Sequence, residues 1–143
     1  MNKLTLRERL SAAFVLLSTL LIPGICTYFS LNDIAVYFSY PKTLTFSYFT
    51  IFSLLSFIIF LPITSLSIHP VFRGKKSSNN FQKKVGVTML VAAILITTTT
   101  IIFNAFYLNR ISAKGYVACK GIPVGWMPGM AKKYAINESL CHK

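Results

Sequence analysis

Acidic residues are nearly missing from this 143-residue chain: there are three, Glu8, Asp33 and Glu138, and none lies near another. Paired carboxylates for acid/base catalysis and carboxylate-rich metal sites are therefore not expected. The chain also lacks a Gly-rich phosphate loop, a nucleophile–base constellation and a C-x-x-C pair. Its two cysteines near the C-terminus, Cys119 and Cys141, with His142 supply only three potential zinc ligands, one short of a closed structural site. Neither enzyme chemistry, nor a metal, nor a cofactor is expected.

Charge of either sign is absent from three long stretches. Residues 10–32, 43–72 and 85–109 hold 23, 30 and 25 consecutive residues without Asp, Glu, Lys or Arg. Each exceeds the ~20 apolar residues with which an α-helix crosses ~30 Å of hydrocarbon. Hydrophobic residues make up 54% of the chain, and the mean hydropathy of +0.60 is that of a membrane protein. The expected fold class is an all-α membrane protein with three transmembrane helices, Leu10–Leu31, Leu44–Ile68 and Val85–Leu108. Around them lie an N-terminal segment 1–9, loops 32–43 and 69–84, and a tail 109–143. The missing ionisable groups also exclude proton relays, voltage sensors and ion-coupled sites, which need a titratable or charged group at membrane depth.

What remains inside the spans is hydroxyl and amide. Thr97 to Thr100 cover a full turn of the third span, and Ser53 and Ser56 stand one turn apart in the second. Hydroxyls in such helices mostly bond back to their own carbonyls. Asn104, the most polar residue in any span, is the candidate interhelical contact. Pro23-Gly24 and Pro62 are expected to kink the first and second helices. Thr5-x-x-Glu8 matches a capping box and starts the first helix just before the bilayer. The basic start of the chain resembles a signal-peptide n-region, and Leu21 to Cys26 loosely resembles a lipoprotein box. The apolar run is nevertheless long, no cleavage site closes it, and Ile25 stands where a small residue is required. Retention as an anchor is expected.

The formal net charge of +12 comes from residues that all flank the spans, so it fits membrane topology better than a nucleic-acid surface. Lys3, Arg7, Arg9, Arg73, Lys75, Lys76, Lys83 and Lys84 lie on the side of the N-terminus and second loop. Lys42, Arg110, Lys114, Lys120, Lys132, Lys133 and Lys143 lie on the other. Only charges within ~15–20 residues of a span weigh heavily, which removes Lys132, Lys133 and Lys143 and leaves eight against four. The N-terminus is thus expected in the cytoplasm and the tail outside. Aromatics agree: Tyr28, Phe29, Tyr37, Phe38, Tyr40, Phe46, Tyr48 and Phe49 flank the first loop, and Tyr107 and Tyr116 follow the third span, as an interfacial belt would. Paired cysteines in the tail make sense in an oxidising compartment such as a bacterial periplasm.

A Cys119–Cys141 bond would close a 23-residue loop and contribute about 3.4 kcal/mol by chain entropy, enough to order a segment with little core of its own. Gly121, Pro123, Gly125, Pro128 and Gly129 enforce turns in its first half. Met130–Ile136 then reads as two helical turns, with Met130 and Tyr134 on one face. Trp126, the sole tryptophan, suits interfacial anchoring first, and otherwise a cover for the disulfide or a partner hot spot; Met130, Tyr134, Lys132 and Lys133 are the accompanying candidate contacts. Cys26 reads as a small buried hydrophobe.

Through Gly115-Tyr116-x-x-Cys119-Lys120-Gly121-Ile122-Pro123, Gly125-Trp126-Met127-Pro128, Lys133-Tyr134-Ala135 and Cys141, the tail resembles a family of small, uncharacterised inner-membrane proteins of enterobacteria. That resemblance implies inner-membrane location and no particular activity. The architecture is more loosely similar to immunity proteins of pore-forming bacteriocins. The expected function is binding or protective, with the lipid bilayer and a membrane or periplasmic protein as partners, and oligomers are compatible with it. A holin-like pore former is the alternative, a class whose basic tail normally lies in the cytoplasm.

Overall fold

A computed structural model of the protein describes residues 4–120 and 130–141. Three long helices dominate it: α1 (Leu6–Ser39), α2 (Thr50–Ile68) and α3 (Asn79–Ala113). Three short strands accompany them: β1 (Thr43–Ser47), β2 (Val117–Ala118) and β3 (Ala131–Ala135). A π-helical turn, His69–Arg73, follows α2, and a 3₁₀ turn, Glu138–Leu140, follows β3. All three helical segments are long and apolar enough to cross a membrane, with mean hydropathies of 2.0, 2.3 and 2.2 in their most apolar windows. Only 11–22% of those windows is buried, leaving Leu17, Leu21, Leu90, Ile101 and Ile102 on the outside. Water would not tolerate so continuous an apolar surface, whereas hydrocarbon solvates it.

The helices exceed the expected spans at several ends. α1 begins at Leu6, where Thr5 and Glu8 form the anticipated capping box. The Thr5 N–H donates to Glu8 Oε2 at 2.8 Å, and the Glu8 N–H donates to Thr5 Oγ1 at 3.4 Å. α1 continues to Ser39 and α3 to Ala113. Neither proline ends its helix: α1 runs on through Pro23 and α2 through Pro62. At the start of the second span the reading from sequence differs from the structure. Leu44–Ser47 belong to β1, and the helix begins at Thr50.

The chain divides into two compact units. The first comprises Met1–Tyr28 and Ser53–Ile96, and the second Phe29–Phe52 and Thr97–Lys143. In the first unit, α1 and α2 meet through polar contacts of modest strength. Thr64 Oγ1 donates to Thr19 Oγ1 at 3.1 Å, and Thr27 Oγ1 donates to the Leu54 carbonyl at 3.4 Å. Most other hydroxyls bond within their helix, as Ser56 does to the Ser53 carbonyl at 2.7 Å. The N-terminus is tied to the α2–α3 connection, since the Leu4 N–H donates to the Gly74 carbonyl (3.0 Å) and Arg9 Nη2 to that of Val71 (3.0 Å).

Gly74 closes the π-helical turn in the left-handed region, φ 61° and ψ 25°, with its N–H on the Pro70 carbonyl. A Cβ there would meet only the Arg9 side chain at 3.8 Å, so the cost of adding one is conformational and not steric. Gly74→Ala is expected to destabilise the first unit by about 1 kcal/mol. Thermal unfolding of the detergent-solubilised protein measures this, and an unchanged midpoint would rule it out.

Candidate functional site

In the second unit the tail cooperates with the rest of the chain. Its three strands form a sheet in the order β1-β3-β2, both pairings antiparallel. β1, Thr-Leu-Thr-Phe-Ser, alternates as a half-buried strand must, with Leu44 and Phe46 inward and Thr43 and Thr45 outward. Leu44 pairs with Tyr134 and Phe46 with Lys132. Residues directly opposite in an antiparallel pair share a face, so Tyr134 lies on the inner side, packed against the core. β3 is therefore the middle strand, and the expected helix over Met130–Ile136 is corrected. Lys-Lys-Tyr-Ala there answers the needs of two flanking strands rather than the i, i+4 spacing of Met130 and Tyr134.

Beneath the sheet lies an aromatic core. Tyr37, Phe46 and Tyr107 are at most 1% exposed, joined by Leu44, Ile111 and Tyr116. Phe46 stacks on Tyr107 with centroids 5.0 Å apart and lies 5.2 Å from Tyr37, and Tyr107 stacks on Phe103 at 5.8 Å. The buried phenols are satisfied. The Tyr107 hydroxyl donates to the Tyr37 carbonyl at 2.8 Å, one of the last four carbonyls of α1 and so without a partner in its own helix. The Tyr37 hydroxyl accepts from the Ser47 N–H at 2.9 Å and shares a 2.8 Å bond with Thr50 Oγ1, joining the end of β1 to the start of α2. The Tyr116 hydroxyl donates to the Pro41 carbonyl at 2.8 Å. Between them Tyr40 takes a positive φ of 47°, its ring covered by Lys114 Nζ at 3.8 Å.

The anticipated aromatic belt thus splits in two. Tyr28, Phe29, Phe38 and Phe49 remain exposed as interfacial residues would, while Tyr37, Phe46, Tyr107 and Tyr116 form a folded core. A run-length reading of the sequence misses this core. The available signal was the Thr-Leu-Thr-Phe-Ser alternation just after Pro41.

Cys119 and Cys141 are bonded, with Cα atoms 5.4 Å apart. The Cys119 N–H donates to the Lys133 carbonyl at 2.9 Å, so the disulfide extends the β2–β3 ladder and ties it to the 3₁₀ turn. Cys141 is buried, whereas Cys26 is free and half-buried in α1. Among the described residues no three His, Cys, Asp or Glu side chains gather to hold a metal. His142, Trp126 and the turn formers Gly121, Pro123, Gly125, Pro128 and Gly129 lie outside the described residues.

The other candidate contacts fall on or beside β3. Met130 is exposed, and its carbonyl accepts from the Tyr48 N–H at 3.0 Å. Lys132 is exposed and Lys133 half-buried. The Tyr134 phenol is pushed up to about 12, first by burial and then by its neighbour Tyr48, so it stays neutral across the physiological range. Asn104 does not bridge two helices. Its Nδ2 donates to the Tyr48 carbonyl at 3.0 Å, tying α3 to the turn after β1, while its buried Oδ1 has no hydrogen-bond partner among the described residues.

The arrangement is a small sheet, closed by a disulfide, in and beside which Val117, Met130, Lys132 and Ile136 are exposed. No curated protein and no solved structure matches the chain. One protein family does, described as a protein of unknown function (DUF1240), over residues 44–142. That match takes in β1 from Leu44 onward, both later helices, β2, β3 and both disulfide cysteines, which is all of the sheet but Thr43. Since it spans well over half of the sequence, the chain belongs to the DUF1240 family.

Proposed function

We propose that this membrane protein is a non-enzymatic binding protein of the bacterial inner membrane, with its N-terminus in the cytoplasm and its disulfide-closed sheet in the periplasm. The observation that carries this reading is the Cys119–Cys141 bond, built into a sheet with its own aromatic core. Disulfides persist in oxidising compartments, and the bacterial periplasm is one. The excess of basic residues near the spans on the N-terminal side supports the same orientation. The exposed side chains of the sheet and its flanks, Val117, Met130 and Ile136 (36–49% exposed) and Lys132, offer apolar and basic contacts to a protein partner. A protective, immunity-type role, in which this surface and the helices intercept a pore-forming toxin, is the specific form we favour.

Alkaline phosphatase fused after Lys143 is expected to be active, and a fluorescent-protein fusion at the same point dark. Cys119 and Cys141 should react with a membrane-impermeant maleimide only after reduction. An inactive phosphatase beside a fluorescent fusion would overturn the orientation and favour the holin-like alternative. For the protective role, cells expressing the chain are challenged with a panel of pore-forming bacteriocins. Protection against at least one is expected, and unchanged killing throughout would remove that role while leaving the orientation standing.

A further inference from the structure

The connection between α2 and α3, within the first unit, encloses an open cavity of about 730 Å³. Arg73, Lys75 and Lys76 line it, with His69, Ser77 and Ser78. The only acidic side chain in this unit is Glu8. Its Oε1 lies 3.9 Å from Lys76 Nζ, while its Oε2 is engaged by Thr5. Arg73 and Lys75 have no ion-pair partner among the described residues, so the wall carries uncompensated positive charge. Ser78 caps α3, its Oγ accepting from the Phe81 N–H at 3.3 Å, which places the positive end of a 35-residue helix at the same wall. His69, whose ring packs 5.8 Å from that of Phe81, keeps a buried Nδ1 with no hydrogen-bond partner among the described residues.

Apolar surface adjoins this charge. Ile68 and Phe72 are 42% and 73% exposed beside Arg73, at the end of the second apolar span, and the third begins at Asn79. A soluble anion has no use for Phe72 or for bare helix flanks, whereas a lipid places its phosphate against cations and its acyl chains along such flanks. We propose that the cavity binds the phosphate headgroup of an anionic phospholipid, with Arg73 and Lys75 as the principal cations and the acyl chains on the exposed apolar surface around Phe72. This site does not depend on the orientation or the partner proposed above.

Native mass spectrometry of the intact, detergent-solubilised protein tests it, titrating phosphatidylglycerol against phosphatidylcholine of the same chains. Wild type is expected to hold one phosphatidylglycerol at least tenfold more tightly than phosphatidylcholine. Arg73→Gln with Lys75→Gln should weaken that binding about thirtyfold, or about fivefold per charge removed. Lys83→Gln with Lys84→Gln, which removes two charges outside the cavity, should change it less than threefold. Equal losses in the two double variants would overturn the proposal by reducing it to net charge. Absence of a phosphatidylglycerol preference in wild type would overturn it without reliance on any variant. Inorganic phosphate that displaces the lipid at comparable concentration would overturn the lipid assignment and leave a soluble phosphate site.

Discussion

Phe46→Ala is expected to cost the sheet-bearing unit about 3–5 kcal/mol, the range for deleting a fully buried aromatic ring. Phe46 is 0% exposed and touches three rings, those of Tyr37, Tyr48 and Tyr107, with centroids 5.0–5.5 Å apart. Its removal takes away the transferred area, the ring–ring contacts and the filler between β1 and α3. A unit this small has little margin, so the expected readout is loss of cooperative unfolding together with fast hydrogen exchange at the β3 amides. Phe46→Leu keeps most of the volume and should recover more than half of the loss. Thr45→Ala, on the outer face of the same strand, should stay within about 0.5 kcal/mol. If Phe46→Ala behaved like Thr45→Ala, the inward register of β1 would be refuted.

Removing the disulfide, as Cys119→Ser with Cys141→Ser, is expected to destabilise the same unit by about 3 kcal/mol through the restored freedom of the unfolded loop. The effect should confine itself to unfolding of the sheet and leave the helical content of the protein unchanged, because the apolar spans are held by their own backbone bonds in lipid. Circular dichroism in vesicles, with and without a thiol reductant, separates the two. Reduction of wild type should reproduce the double variant, and a reductant that leaves the unfolding midpoint in place would show that the sheet stands without the bond. The cysteines and Phe46 serve one structure, so their effects are expected to be less than additive.

The spans were legible in sequence because lipid imposes one demand that can be counted, an unbroken apolar run of sufficient length. The sheet was not, for two physical reasons. β1 lies inside the longest uncharged run, residues 43–72, where hydropathy cannot distinguish a strand from the first turn of a helix. The surplus of that run over the 19 residues of α2 was the clue. β3, for its part, finds its partner far away in sequence, so local spacing in Met130–Ile136 fitted a helix equally well. The cysteine pair was legible because two cysteines in a short basic tail leave few other uses. Asn104 stands out in sequence as polar in an apolar setting, yet its partner is a turn carbonyl that no helical periodicity points to. The aromatic core hid among exposed aromatics, since both lie near the ends of the same spans.

The middle position of β3 has a consequence for biosynthesis. Thr43 pairs with Ala135 and Ser47 with Ala131, so β1 leaves the ribosome with two spans still to be made before its partner exists. Until then Leu44 and Phe46 have no strand to complete their fold, and closing so long a loop is intrinsically slow. The sheet can close only once β3, Ala131–Ala135, has been made. A chain stalled or clipped before Ala131 would carry all three apolar helices yet expose an open strand edge, the kind of lesion that proteolytic quality control recognises.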